Sequence, residues 1–168
     1  SFVKNIYLLV DCNDFFPIQI SLKKENFGNL VSPNSLTYVL NEARDLCKKT
    51  LEKKKIIHLT IENYIIDNKY FSYLPKDLKC KNFSLDLKFI CLSNDLIEIL
   101  EQIFKRYQIS LNRVISTDYI KKFLSNDENN IFNLSKKIIK DNFQNEVVLV
   151  SKNNKNQGFF EKFFNFFK

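Results

Sequence analysis

Few residues of this sequence have side chains that could carry chemistry. One histidine, His58, could act as a general base, and four cysteines could act as nucleophiles or bind a soft metal ion. The cysteines, Cys12, Cys47, Cys80 and Cys91, form no CxxC pair, and their irregular spacing favours reduced thiols. His58 lies between apolar neighbours, which favours a structural role. We therefore expect no metal site and no cofactor.

Carboxylates are the second group of candidates, because two of them can work together as acid and base in glycoside hydrolysis. The candidate aspartates lie at predicted strand ends and turns, where this residue commonly serves turn formation: Asp11, Asp14, Asp67, Asp77 and Asp95. Nothing in their spacing selects a pair. The sequence therefore favours a protein that is not an enzyme.

The amino-acid composition argues against nucleotide and nucleic-acid partners and is compatible with a membrane surface. With 2 glycines in 168 residues, the chain has no glycine-rich loop that could approach a nucleotide phosphate. The net charge of +7 comes from 23 lysines and only 3 arginines, whereas nucleic-acid readers favour the forked guanidinium group. We expect no nucleic acid and favour an anionic membrane surface, with a basic nucleic-acid-binding module kept as an alternative.

Hydrophobic periodicity predicts the elements that position these residues. The expected order is strand, strand, helix, strand, strand, helix, strand, over the ranges 5–10, 16–22, 33–52, 56–67, 83–92, 95–107 and 112–116. This order predicts an α+β fold with two helices packed on one face of a short mixed sheet. Pro17 places its strand at a sheet edge, and 70–82 is expected to be a loop.

The second helix is expected to begin with a capping box formed by Asp95 and Glu98. Its spacing predicts a buried stripe made of Leu96, Ile99, Leu100, Ile103, Phe104 and Tyr107. After a polar break, 131–143 is a candidate helix and 146–150 resembles a strand. The chain divides into a domain over 1–124, a poorly defined helix, strand and polar linker over 125–157, and a terminal segment over 158–168.

The terminal segment, GFFEKFFNFFK, holds six of the 17 phenylalanines. On a helical wheel of about 100° per residue its aromatic side chains share one face, while Glu161, Asn165 and the lysines occupy the other. This pattern is typical of an interfacial membrane anchor. The candidate membrane-binding residues are Phe159, Phe160, Phe163, Phe164, Phe166, Phe167, Lys162 and Lys168. Docking on the domain's own core, or in a partner's groove as a structural subunit of a larger assembly, stays open.

Several strings together resemble the bacterial cell-division protein family FtsA, in its SHS2 module (subdomain 1C). VSPNSLTYVLNEAR at 31–44 is similar to the first helix of that module. In IIHLTIENYIID at 56–67, the family's strand pattern is matched by His58, Tyr64, Ile66 and Asp67. The strand, helix and strand at 85–116 are similar to the segment that returns to the actin-like core. The terminal segment resembles the membrane-targeting helix of the family.

The resemblance implies a non-enzymatic adaptor at the cytoplasmic face of the bacterial inner membrane, at the division site and the septum. Its implied partners are other components of the divisome, with self-association possible. The sequence departs from the family pattern in its loop at 70–82, which has neither glycine nor arginine, and near Gln108, where the family has a glycine. The family's actin-type phosphate loops need several glycines and this sequence has 2, so ATP binding is not carried over to this chain. Contact with the ring protein FtsZ is not carried over either, because the segment after the module is too short for the lobe that makes it in the family.

Overall fold

The structure is a computed structural model, which describes residues 3–75, 78–123, 130–141 and 146–147. In chain order the described elements are β1 (Asn5–Val10), β2 (Phe16–Glu25), α1 (Pro33–Leu46), β3 (Lys54–Ile66), β4 (Lys69–Phe71), β5 (Asn82–Ser93), α2 (Asn94–Arg106), β6 (Ser110–Ser116), α3 (Thr117–Lys121) and α4 (Ile131–Asp141). The predicted α+β class is confirmed.

The strands form two sheets, so the expectation of a single mixed sheet carrying two helices was wrong. β1 pairs in parallel with β6, in a register that joins Asn5 to Ser110 and Val10 to Ser116. The other four strands form a sheet in the order β2-β5-β3-β4. Parallel strands need a long crossover between them, and here the whole segment between β1 and β6 supplies it. β2 lies at a sheet edge, as Pro17 predicts.

The chain divides into two compact units. The first takes the described residues within 1–18, 50–58 and 89–143. In this unit, α2 and α3 contact β6, and α3 contacts α4. Its largest apolar cluster consists of buried side chains from β5, β6, α3 and α4: Ile90, Ile115, Tyr119, Ile120, Leu134 and Ile138. A second cluster joins the start of α2 to β6 through Leu92, Ile97 and Val114.

The second unit takes the described residues within 19–49, 59–88 and 144–168. Alternate side chains of β5 are buried here, as its period of two predicts. One face of α1 is also buried, through Leu36, Val39, Leu40, Ala43 and Cys47. Ser32 caps this helix by accepting a hydrogen bond from the Ser35 amide (3.2 Å), and Pro33 occupies the first turn.

Three local predictions differ from the structure. α1 ends at Leu46 instead of continuing to 52, since the chain turns at 47–53 before β3 begins. The cap of α2 is Ser93, whose hydroxyl accepts from the Leu96 amide at 3.2 Å, so the capping box at Asp95 was wrong. The 70–82 region is not entirely a loop, because it contains part of β4.

The backbone at the end of α2 explains how the chain can lack the glycine that the FtsA family has near Gln108. This residue has φ 57°, in the left-handed region that glycine normally occupies after a helix. The Ile109 amide donates to the Phe104 carbonyl at 3.0 Å, and the Gln108 amide donates to the Lys105 carbonyl at 3.0 Å. These two bonds make a Schellman motif, so the backbone conformation is formed here without glycine.

The later elements agree in part with prediction. The candidate helix at 131–143 is α4, which ends at Asp141. Asn130 caps it, because its side-chain oxygen accepts from the Phe132 amide at 2.9 Å. Of the strand-like range 146–150, Glu146 forms an isolated antiparallel bridge with Thr60. Residues 148–150 lie outside the described residues.

Candidate interaction surface

His58 is buried in the first unit with a relative accessibility of 1%. Its ring stacks on Tyr119 with the centroids 4.0 Å apart, and Tyr119 meets Phe123 edge to face. The Ser116 amide donates to Nε2 at 3.0 Å, and the Arg113 guanidinium lies 3.5 Å from Nδ1. Because Nε2 accepts this hydrogen bond, its lone pair is already engaged. His58 therefore fixes the junction of β6 and α3, which supports the structural interpretation.

Tyr64 is a second residue on which the FtsA resemblance rests, and it too belongs to a core. It lies in the second unit with 1% relative accessibility, and burial raises the pKa of its hydroxyl to about 12. A phenol with such a high pKa stays protonated at neutral pH. Tyr64 therefore contributes buried aromatic area to the fold.

Asp67 is the third such residue, and it holds the turn between β3 and β4. Asp67 and Asn68 have φ 45° and 66°, which is the signature of a two-residue type I′ hairpin turn. The Asp67 carboxylate accepts from the Lys81 amide at 3.0 Å and from the Asn82 amide at 2.9 Å. It thereby ties the turn to the start of β5.

Replacing Asp67 by alanine should lower the free energy of unfolding by about 1–2 kcal/mol, because two amides lose their acceptor and alanine disfavours positive φ. Asp67→Asn is the matched control, since it retains one side-chain oxygen and tolerates this backbone conformation, and it should lose less than half as much. Urea unfolding of both variants measures the difference. Equal losses in the two variants would show that the carboxylate does not clamp the amides.

The cysteines and the other candidate aspartates are the remaining reactive groups of the sequence. None of the four cysteines, which all lie in the described ranges, is in a disulfide, and burial raises the pKa of the Cys47 and Cys80 thiols. Asp11 and Asp118 both form ion pairs with Lys121. Asp77 lies outside the described residues. Within the described ranges, no group of three or more His, Cys, Asp or Glu side chains is placed to hold a metal ion.

The outer face of α2 is the most distinctive surface of the first unit. The predicted buried stripe was wrong: Leu96, Leu100 and Phe104 are only partly buried, and the exposed fractions of Ile99, Ile103 and Tyr107 are 53%, 44% and 72%. Ile97 is the residue of this helix that is buried. The three exposed residues recur every fourth position, so they form one line along the helix. We call this line the α2 stripe.

The apolar face of α2 is partly buried and partly exposed because it is wide. At about 100° per residue its apolar side chains span an arc of about 160° around the helix. This arc is wider than the side of the helix that packs against the rest of the first unit. The edge of the arc at Ile97 packs with Leu92 and Val114, whereas the α2 stripe runs from the opposite edge, at Ile99, to the middle of the arc, at Tyr107. An ion pair between Glu101 and Lys55 (3.0 Å) is another exposed feature of the helix. Sequence reasoning detected the arc but not which edge is buried.

The predicted membrane-binding residues at 158–168 and the linker at 151–157 lie outside the described residues. Among the described helices, none combines the length and the apolar character that crossing a bilayer requires.

Comparison of the chain with protein-family models gives no match, and no curated protein sequence matches it. The assignment of function therefore depends on the sequence strings, the terminal segment and the surface described above.

Proposed function

We propose that the chain is a non-enzymatic, FtsA-like cell-division adaptor at the cytoplasmic face of the bacterial inner membrane. Its folded part is the protein-interaction domain, and the segment 158–168 is the membrane anchor. Other cell-division proteins are the proposed partners, with self-association as a further mode. The observation that carries the interaction role is the α2 stripe, because a line of exposed apolar side chains on a regular helix suits a protein contact.

The positions of His58, Tyr64 and Asp67 support the proposal that the chain is FtsA-like. His58 supplies a stacked and hydrogen-bonded ring, Tyr64 supplies a buried phenol, and Asp67 clamps a turn. Apart from the short β4 between β3 and β5, the order β2, α1, β3, β5 follows the order of elements on which the resemblance rests. A match at three residues that have separate structural roles is more specific than a match in hydrophobic pattern alone.

The charge distribution supports the membrane part. Lys152, Lys155, Lys162 and Lys168 lie in or just before the terminal segment, where each could attract anionic lipid by about 1 kcal/mol when it is close to the surface. The six phenylalanines of the segment supply the apolar surface whose burial in the bilayer favours binding. Such a pairing of an apolar face with lysines is what stable interfacial binding requires.

The α2 stripe is tested in dividing bacterial cells with a fluorescent fusion of the full chain. Replacing Ile103 by glutamate and Tyr107 by serine should leave the fusion on the membrane but spread it evenly, because only the partner contact is lost. Phe27→Ser is the matched control, since Phe27 is 81% exposed and lies outside α2. If the α2 double variant keeps the distribution of the unaltered chain, the stripe is not the partner surface.

A further inference from the structure

The outer face of α4 has a composition that the adaptor proposal does not use. Leu134 and Ile138 of this helix are buried in the main cluster of the first unit, which fixes the rotation of the helix. Phe132 is 64% exposed, and Lys136 and Lys140 are exposed as well. These three residues recur every fourth position and form a line about 12 Å long. We call this line the α4 face.

The charge on this side of α4 is positive. Lys137 is exposed beside the line, and the acidic residue in the sequence of the helix, Asp141, is its last residue. Lys121 of the adjacent α3 forms ion pairs with Asp118 and Asp11. The α4 face thus combines an exposed aromatic ring with two exposed lysines along one helix.

We propose that the α4 face is a second contact with an anionic lipid bilayer. In this contact Phe132 enters the headgroup region, and Lys136 and Lys140 extend their stems over the surface and place their ammonium groups among the lipid phosphates. The inference deepens the proposed membrane role and rests on it. Lipid fits this face better than nucleic acid does, because α4 has no arginine to fork onto phosphate and presents a single exposed aromatic ring.

A second contact would also change the geometry of binding. Binding through the terminal segment alone does not specify which side of the first unit faces the bilayer. A helix that is part of the folded core would instead set which side of the first unit faces the bilayer. Two weak contacts joined in one chain also bind more tightly than either one does, since the second event is intramolecular.

The test uses the full chain and vesicles of phosphatidylcholine with one quarter phosphatidylglycerol. Reversing two charges, Lys136→Glu with Lys140→Glu, should reduce the partition coefficient at least about thirtyfold, because two attractions are lost and two carboxylates are repelled. The matched control is Lys48→Glu with Lys49→Glu, which makes the same change in net charge at exposed positions after α1. This control should reduce partitioning by less than about threefold. Phe132→Ser should reduce it about tenfold, against no change for Phe27→Ser.

Other results of these measurements would overturn the α4 contact or separate it from the terminal anchor. Equal losses in the two lysine pairs would show that only net charge matters, which overturns the α4 contact. Unchanged vesicle binding with loss of single-stranded RNA binding would also overturn it, in favour of nucleic acid. Loss on changing α4, with full binding retained by Phe163→Glu/Phe164→Glu, would uphold the α4 contact and contradict the terminal anchor. Thermal unfolding of every variant should match the unaltered chain, since all the changed side chains of the folded part are exposed.

Discussion

Replacing Phe163 and Phe164 by glutamate is expected to remove the full chain from vesicles that contain anionic lipid. Burial of a phenylalanine side chain contributes roughly 2–3 kcal/mol, so loss of two rings lowers the partition coefficient by at least a thousandfold. The two new carboxylates are also repelled by anionic headgroups, which adds to the loss. Co-sedimentation with vesicles measures the effect directly.

Phe163→Leu with Phe164→Leu is the matched control, because it keeps the apolar face while removing both rings. This control should retain most of the binding, within about tenfold of the unaltered chain. Unchanged sedimentation of the glutamate variant would contradict the anchor. Equal loss in the leucine and glutamate variants would indicate specific recognition of aromatic rings, as expected for a protein groove and not for a bilayer.

The second large effect is expected at His58. His58→Ala should lower the free energy of unfolding by about 3–5 kcal/mol, because it leaves a cavity beside Tyr119 and removes the acceptor of the buried Ser116 amide. Most of this loss should appear as a lower urea midpoint at an unchanged slope. A loss under about 1 kcal/mol would contradict the structural role.

Two variants of His58 separate the contributions to this loss. His58→Phe keeps a ring against Tyr119 but removes the acceptor, so it should lose about 1–3 kcal/mol. His58→Gln supplies an oxygen that can reach the Ser116 amide but loses the ring stack. Both variants should be more stable than His58→Ala. If His58→Phe is as stable as the unaltered chain, the hydrogen bond to Ser116 contributes nothing.

Prediction from the sequence succeeded where one local signal dominates. The alternation of Phe83, Leu85 and Leu87 specifies a strand with one buried face, and the structure buries all three. The pair Ser32-Pro33 marks the start of α1, because a hydroxyl cap and a missing amide both suit a helix N-terminus. These features depend on neighbours within a few residues.

Prediction failed where distant residues decide the outcome. His58 meets the Ser116 amide across 58 positions of sequence, and no local pattern reveals that pairing. The division of the strands into two sheets depends in the same way on β1 finding β6. The burial of Ile97 instead of Ile103 depends on which edge of the α2 arc meets Leu92 and Val114. For the candidate site, the sequence thus identified an apolar helix but not its exposed edge.

We propose that this chain works on the membrane at the site of division. The most direct measurement is the position of the unaltered chain, as a fluorescent fusion at its native level, in dividing bacterial cells. We expect a band of fluorescence on the membrane at the division site, and we expect Phe163→Glu/Phe164→Glu to move the fluorescence into the cytosol. An unaltered chain that is spread through the cytosol, or gathered on the nucleoid, would contradict the account.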